Sequence, residues 1–122
     1  MGYIREDVEL VGTLKSKKIS ALFDSGAYRN YVKRKLADGE DVGDVGFHIF
    51  EGIHKAVLAT GDTATGERVR FKEVLIRGHV VNEPEFVIMD NFVEDMILGV
   101  SLMQTAGVML DPPNEKIVMT LK

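Results

Sequence analysis

The chain has 122 residues, a size that suits one domain with one core, taken here as residues 1–122. Its 19 acidic and 15 basic residues give a formal charge of −4 with the signs interspersed, which speaks against the basic stripe of a nucleic-acid binder. It has no cysteine, which excludes disulfides and thiolate metal sites and suits a reducing, cytoplasmic compartment; no apolar run reaches the ~18 residues of a membrane span.

In chain order, Val8–Leu14 and Ile19–Phe23 read as two short strands, joined by a turn at Lys15-Ser16-Lys17-Lys18. Asp24-Ser25-Gly26-Ala27 follows. Tyr28–Leu36 then repeats Tyr28, Tyr31, Val32 and Leu36 at helical spacing opposite a charged face, Lys33-Arg34-Lys35, and predicts a helix ending at Asp38-Gly39. The acidic, glycine-rich Gly39–Gly46 predicts a mobile loop.

Phe47–Phe50 and Lys55–Ala59 read as strands, Thr60–Glu67 as an exposed hairpin tip, and Arg68–Val74 as the returning strand. Leu75–Val81 and Phe86–Met89 are further strands, with a turn at Asn82-Glu83-Pro84-Glu85. Asp95–Gly99 leads into a short helix, Val100–Ala106, bounded by Gly107. Val108–Leu110, the turn Asp111-Pro112-Pro113-Asn114 and Lys116–Leu121 form a closing hairpin. About eight strands and two short helices make a mainly β, mainly antiparallel domain without internal repeats.

Most motif readings end quickly. Gly61 and Gly66 have P-loop spacing, but Glu67-Arg68 stands where a Lys-Ser/Thr pair would meet phosphate and magnesium. His48, His54 and His79 lack any i, i+4 pairing, so no metal site is expected. Met103 occupies the place where a nucleophile elbow around Ser101 needs glycine.

Asp24 is different. Asp-Ser-Gly alone fits an ordinary turn as well as a catalytic loop. Here Ala21-Leu22-Phe23 delivers the aspartate at the end of an apolar strand, and Ser25-Gly26 permits a tight turn whose amides can bond its carboxylate. About seventy residues later Ile97-Leu98-Gly99 repeats the pattern of apolar strand, glycine and helix.

With these residues in order, the sequence resembles the retropepsin-like aspartic proteases, single-lobe relatives of the retroviral enzymes, over roughly Val8 to Leu121. "ALFDSGAYRNYV" looks like their catalytic strand and loop, "KAVLATGDTATGERVRF" like their flap hairpin, and "DMILGVSLMQTAGVMLDPPNEKIVM" like their final stretch. The resemblance implies a closed, barrel-like β lobe active as a two-fold homodimer, which binds an extended peptide and needs no cofactor. It implies Asp24, Ser25 and Gly26 as catalytic-loop residues and Ala27, Ala59, Thr60, Gly61, Asp62 and Thr63 as substrate-contacting or flap residues. Ile97, Leu98 and Gly99 become supports of the loop.

Peptide hydrolysis by this route needs two carboxylates around one water, and the chain has a single Asp-Ser-Gly. A second chain must therefore supply the partner. An alternative keeps the fold as a non-catalytic peptide-binding or dimerisation module; a further one is an unrelated β-barrel in which Asp24 only caps a turn.

Overall fold

Alternation of apolar and polar residues opens the fold. In the computed structural model, which describes residues 3–57 and 60–120, strands β1 (Ile4–Val11) and β2 (Ser16–Phe23) pair antiparallel, with Ile4 opposite Phe23. Val8, Leu10, Ile19, Ala21 and Phe23 are buried along this pair. Their turn is Gly12–Lys15, ahead of the expected lysine-rich position. The Thr13 and Leu14 amides donate to the Gly46 and Val45 carbonyls, which docks the turn there.

The expected mobile loop Gly39–Gly46 is pinned by the same contact. Asp41 accepts the Gly43 amide at 2.7 Å and starts a 3-10 turn at Val42–Val45, with Val42 and Val45 fully buried. Two apolar side chains in an acidic segment are enough to anchor it.

The predicted helix Tyr28–Leu36 is not formed. Its centre is strand β3 (Asn30–Lys33), in which Asn30 and Val32 are buried and alternate with half-exposed Tyr31 and Lys33. It is clasped between β8 (Glu85–Met89), in parallel, and β9 (Met96–Leu98), antiparallel. Ladder bonds on both sides outweigh a helical repeat that a nine-residue segment could support only weakly. Lys33-Arg34-Lys35 is accordingly no helix face, and Arg34 is paired with Glu67 and Asp90.

The two short strands expected at Phe47–Phe50 and Lys55–Ala59 are one strand, β4 (His48–Val57), with a register shift between Ile49 and Ile53; positions 58 and 59 lie outside the described residues. Its partner β5 (Thr63–Arg70) begins well before the expected Arg68, so Thr63–Glu67 is strand rather than tip. β5 also pairs with β8. Leu75–Val81 is not one strand but part of a hairpin, β6 (Glu73–Ile76) and β7 (His79–Asn82), turned at Arg77-Gly78 with both residues at positive φ. Helix α1 (Val100–Ala106) ends, as its sequence indicates, at Gly107 in the left-handed conformation. The closing hairpin is β10 (Val108–Asp111) and β11 (Lys116–Met119), turned through Pro112–Asn114; Leu121 lies outside the described residues.

The main sheet has nine strands in the order β4-β5-β8-β3-β9-β2-β1-β6-β7. The fold is mainly β, as expected, but it is not a closed barrel. Among the described residues β4 and β7 stand at the two ends of the strand order and do not pair: β4 hydrogen-bonds only with β5, while α1 packs against β7. The described residues hold eleven strands and one α-helix rather than eight and two. The core lies on one face, where Phe71 meets Phe47 and Phe86 edge-on at 5.7 and 5.6 Å.

Candidate active site

β2 carries apolar Ala21, Leu22 and Phe23, all buried, to the surface and stops at Asp24, which is half-buried. The stop is set by β9. Its residues Met96, Ile97 and Leu98 run parallel to Ala21, Leu22 and Phe23, and the Leu98 carbonyl accepts the Asp24 amide at 3.0 Å. The chain then turns. The Ala27 amide donates to the Asp24 carbonyl at 3.1 Å, and the Gly26 amide donates to Asp24 Oδ1 at 2.8 Å. A carboxylate held by an amide two residues on is an Asx turn. The other oxygen, Oδ2, and the Ser25 hydroxyl have no hydrogen-bond partner among the described residues. Asp24 and Ser25 border a concavity of about 280 Å3 together with Tyr3, Leu22, Leu110 and Pro112.

The loop is tied to α1 from below. Ala27 accepts the Val100 amide at 2.7 Å, and the Ser101 hydroxyl donates to the Tyr28 carbonyl at 3.1 Å. Gly99 sits so close that a Cβ there would lie 2.5 Å from the Arg29 carbonyl oxygen and 2.7 Å from that of Ala27. Only glycine permits this approach without displacing backbone.

Asn30 completes the support, and sequence reasoning missed it. It is the one buried polar side chain among the described residues, at 7% exposure. Its Oδ1 accepts the Gly99 amide at 2.9 Å and its Nδ2 donates to the Glu85 carbonyl at 3.0 Å. One amide side chain thus fastens the start of β3 to the end of β9 and the start of β8. An Asn between Arg and Tyr reads as a solvent-facing residue, so the single sequence carries no signal for this role.

The remaining expected site residues are further away. Ala59 lies outside the described residues. Thr60, Gly61 and Asp62 are exposed at the β4–β5 turn, where the Thr60 hydroxyl donates to Asp62 at 3.2 Å, and Thr63 is the first residue of β5, opposite Val57. These four make no hydrogen bond with the Asp24 loop among the described residues.

A model of the aspartyl protease family matches residues 10–102, a span that contains both the Asp24 loop and Ile97-Leu98-Gly99. The chain belongs to the aspartyl protease family. Its fold is retropepsin-like. It is similar to the crystal structure of a retropepsin-like aspartic protease from Rickettsia conorii, with a TM-score of 0.59 and 17% identity over 90% of this chain and 75% of that one. It is also similar to the retroviral protease-like domain of Ddi1 from Leishmania major, with a TM-score of 0.63 and 14% identity over 98% of this chain and 89% of that one. A search of curated proteins finds no match.

In this aspartyl protease chain the sheet surface beside Asp24 has a definite order. Leu22, Ile97, Tyr31, Val87 and Arg68 are register partners from β2 across β9, β3 and β8 to β5, so they share one face. One step along the strands, Glu85 of β8 follows on that face by the two-residue alternation, while Asp24 and Arg29 stand just beyond the ends of β2 and β3. Arg29 approaches Glu85 at 3.6 Å, while Arg68 holds the other Glu85 oxygen at 2.8 Å. The His54 ring of β4 lies 6.3 Å from that of Tyr31. Burial, and then the charges of Arg29 and Arg68, hold its imidazole below the ordinary value, with Glu85 opposing them.

Proposed function

We propose that the chain is an aspartic endopeptidase that works as a two-fold dimer, with one Asp24 from each copy activating a shared water. The observation that carries this reading is the presentation of Asp24. Its carboxylate stands at the end of a buried strand, one oxygen fixed by the Gly26 amide and the other open beside a concavity. Two carboxylates about 3 Å apart cannot both ionise, so the pair holds one proton between them. The ionised member takes a proton from the water as it attacks the peptide carbonyl. The protonated member polarises that carbonyl and then protonates the leaving amine.

In this reading Ser25 steadies the paired loops through its free hydroxyl, and Gly26 leaves its surface open to substrate. Ala27, with its small side chain, leaves room for close approach. Leu98-Gly99 with Ile97 is a support that touches no reacting atom. The β4–β5 hairpin, through Ala59, Thr60, Gly61, Asp62 and Thr63, closes over an extended peptide and excludes water. Exposed Ile49, Ile53 and Val57 on β4 give that hairpin an apolar surface suited to a peptide chain.

A cleavage screen on a mixed peptide library from about pH 3 to about pH 8 tests the reading, with wild type compared to Asp24→Asn. Cleavage that vanishes in the variant supports it. Peptide binding without cleavage by the wild type would select the non-catalytic module instead.

A further inference from the structure

Arg29 is placed like a recognition group and used very little by the fold. Its side chain is about one-third exposed, and among the described residues its single ion pair is the 3.6 Å approach to Glu85 and it makes no hydrogen bond. Other arginines here are firmly held: Arg5 grips Glu94 through two bonds of 3.0 and 2.8 Å, and Arg77 grips Glu6 through bonds of 2.9 and 2.7 Å. Arg29 has no such fork. Glu85 cannot provide one while Arg68 Nε holds its Oε2.

The position of Arg29 relative to Asp24 is fixed by the strand order. β9 alone separates the end of β2, which Asp24 follows, from the start of β3, which Arg29 precedes, so the backbone at these two positions is about two strand spacings apart, about 10 Å. An extended peptide advances about 3.3 Å per residue, so a peptide crossing this face from Asp24 reaches Arg29 about three residues from its scissile bond. Arg29 also borders a concavity of about 290 Å3 with Tyr28, Glu85 and Ser101, which leaves room for a side chain.

We propose that Arg29, flanked by Tyr31 and His54, is a specificity-determining residue that selects a carboxylate side chain in the peptide about three residues from the cleaved bond. This inference rests on the peptidase reading above and names its substrate class. A guanidinium with its fork unfilled binds a carboxylate through two parallel hydrogen bonds, a geometry that lysine cannot reproduce. Tyr31 follows Arg29 by two residues, and the His54 ring lies 6.3 Å from that of Tyr31, near enough for the Arg29 charge to act on it. His54 stays neutral at neutral pH under the influence of burial and its two arginine neighbours, so it adds no competing charge.

The test takes the best-cleaved peptide from the library and varies the third residue on each side of the scissile bond as Glu, Gln or Lys. The wild type is expected to cleave the Glu peptide with a kcat/KM about tenfold above the Gln peptide and further above the Lys peptide. Arg29→Gln should level the series and Arg29→Glu should invert it, each with unchanged thermal stability. Arg29→Lys should keep only part of the preference. An unchanged Glu preference in Arg29→Gln, or no preference in the wild type, overturns the proposal and leaves the peptidase reading intact. If no peptide is cleaved, binding of fluorescent Glu, Gln and Lys versions of one peptide decides. A Glu preference that is lost in Arg29→Gln supports the subsite while the peptidase reading fails, and equal or absent binding overturns the subsite.

Discussion

Replacing Asn30 with leucine probes the support of the Asp24 loop. Leucine keeps the branched heavy-atom arrangement of asparagine with bulkier methyl ends, so the change removes hydrogen bonds and leaves no cavity. It orphans the buried Gly99 amide, now bonded at 2.9 Å, at a cost of about 1–3 kcal/mol. Loss of the bond to the Glu85 carbonyl at 3.0 Å costs about 0.5–1.5 kcal/mol more. Burial of the added methyl groups returns about 1 kcal/mol. The net loss is then about 2 kcal/mol. An unfolding entropy of about 2.1 cal/mol/K per residue turns this, for a chain of this length, into a fall in Tm of about 8 °C. Urea denaturation at fixed protein concentration should show a lower midpoint with an unchanged slope, because dimerisation would otherwise shift the curve. Hydrogen exchange at the Gly99 amide should quicken beyond the global change. A stability loss below about 0.5 kcal/mol, with Gly99 still protected, would refute the assignment of Asn30 as the tie between these strands.

Three further outcomes follow from the same geometry. Gly99→Ala should destabilise by about 1–3 kcal/mol in urea melts and reduce turnover more than peptide binding, since its Cβ would press on the Ala27, Tyr28 and Arg29 carbonyls. Backbone amides at Thr60–Asp62, the turn between β4 and β5, should exchange rapidly in the free protein and become protected by a saturating peptide-like inhibitor; protection that is already complete, or unchanged, would remove the hairpin from the mechanism. Stability should fall in two steps with pH. His54 is depressed, so its contribution is full above about 6.5, the ordinary value, and is lost as the pH drops through its lower folded value. Asp38, Glu40 and Glu94, depressed by Lys17, Lys15 and Arg5, add a second loss starting near their ordinary values of 3.8 and 4.5. His54→Gln should abolish only the first step in a series of thermal melts.

The parts that the sequence makes legible are those set by local chemistry. Asp24-Ser25-Gly26 declares a tight turn after an apolar strand, Gly107 ends α1, and Asp111-Pro112-Pro113-Asn114 turns the last hairpin. What the sequence hides is set by long-range pairing. Tyr28, Tyr31, Val32 and Leu36 have helical spacing, and only the ladders from β8 and β9 reveal Asn30–Lys33 as a strand. Val42 and Val45 sit in an acidic, glycine-rich segment, so their burial depends on the Gly12–Lys15 turn docking above them. Glu67 looks like a tip charge until Arg34, 33 residues away in sequence, is brought beside it. The same holds for Asn30 and Arg29, whose surroundings come from four strands scattered along the chain.

The central claim is that catalysis needs Asp24 from two chains. The most direct measurement titrates Asp24→Asn chains into a fixed amount of wild type, equilibrates the mixture, and follows cleavage of one peptide. With free exchange, about a ninefold excess of variant leaves about one wild-type chain in ten paired with another, so activity per wild-type chain should fall to about one tenth. Activity that stays constant across the titration, with exchange shown by mixed-mass dimers, would mean that one Asp24 suffices and would contradict the account.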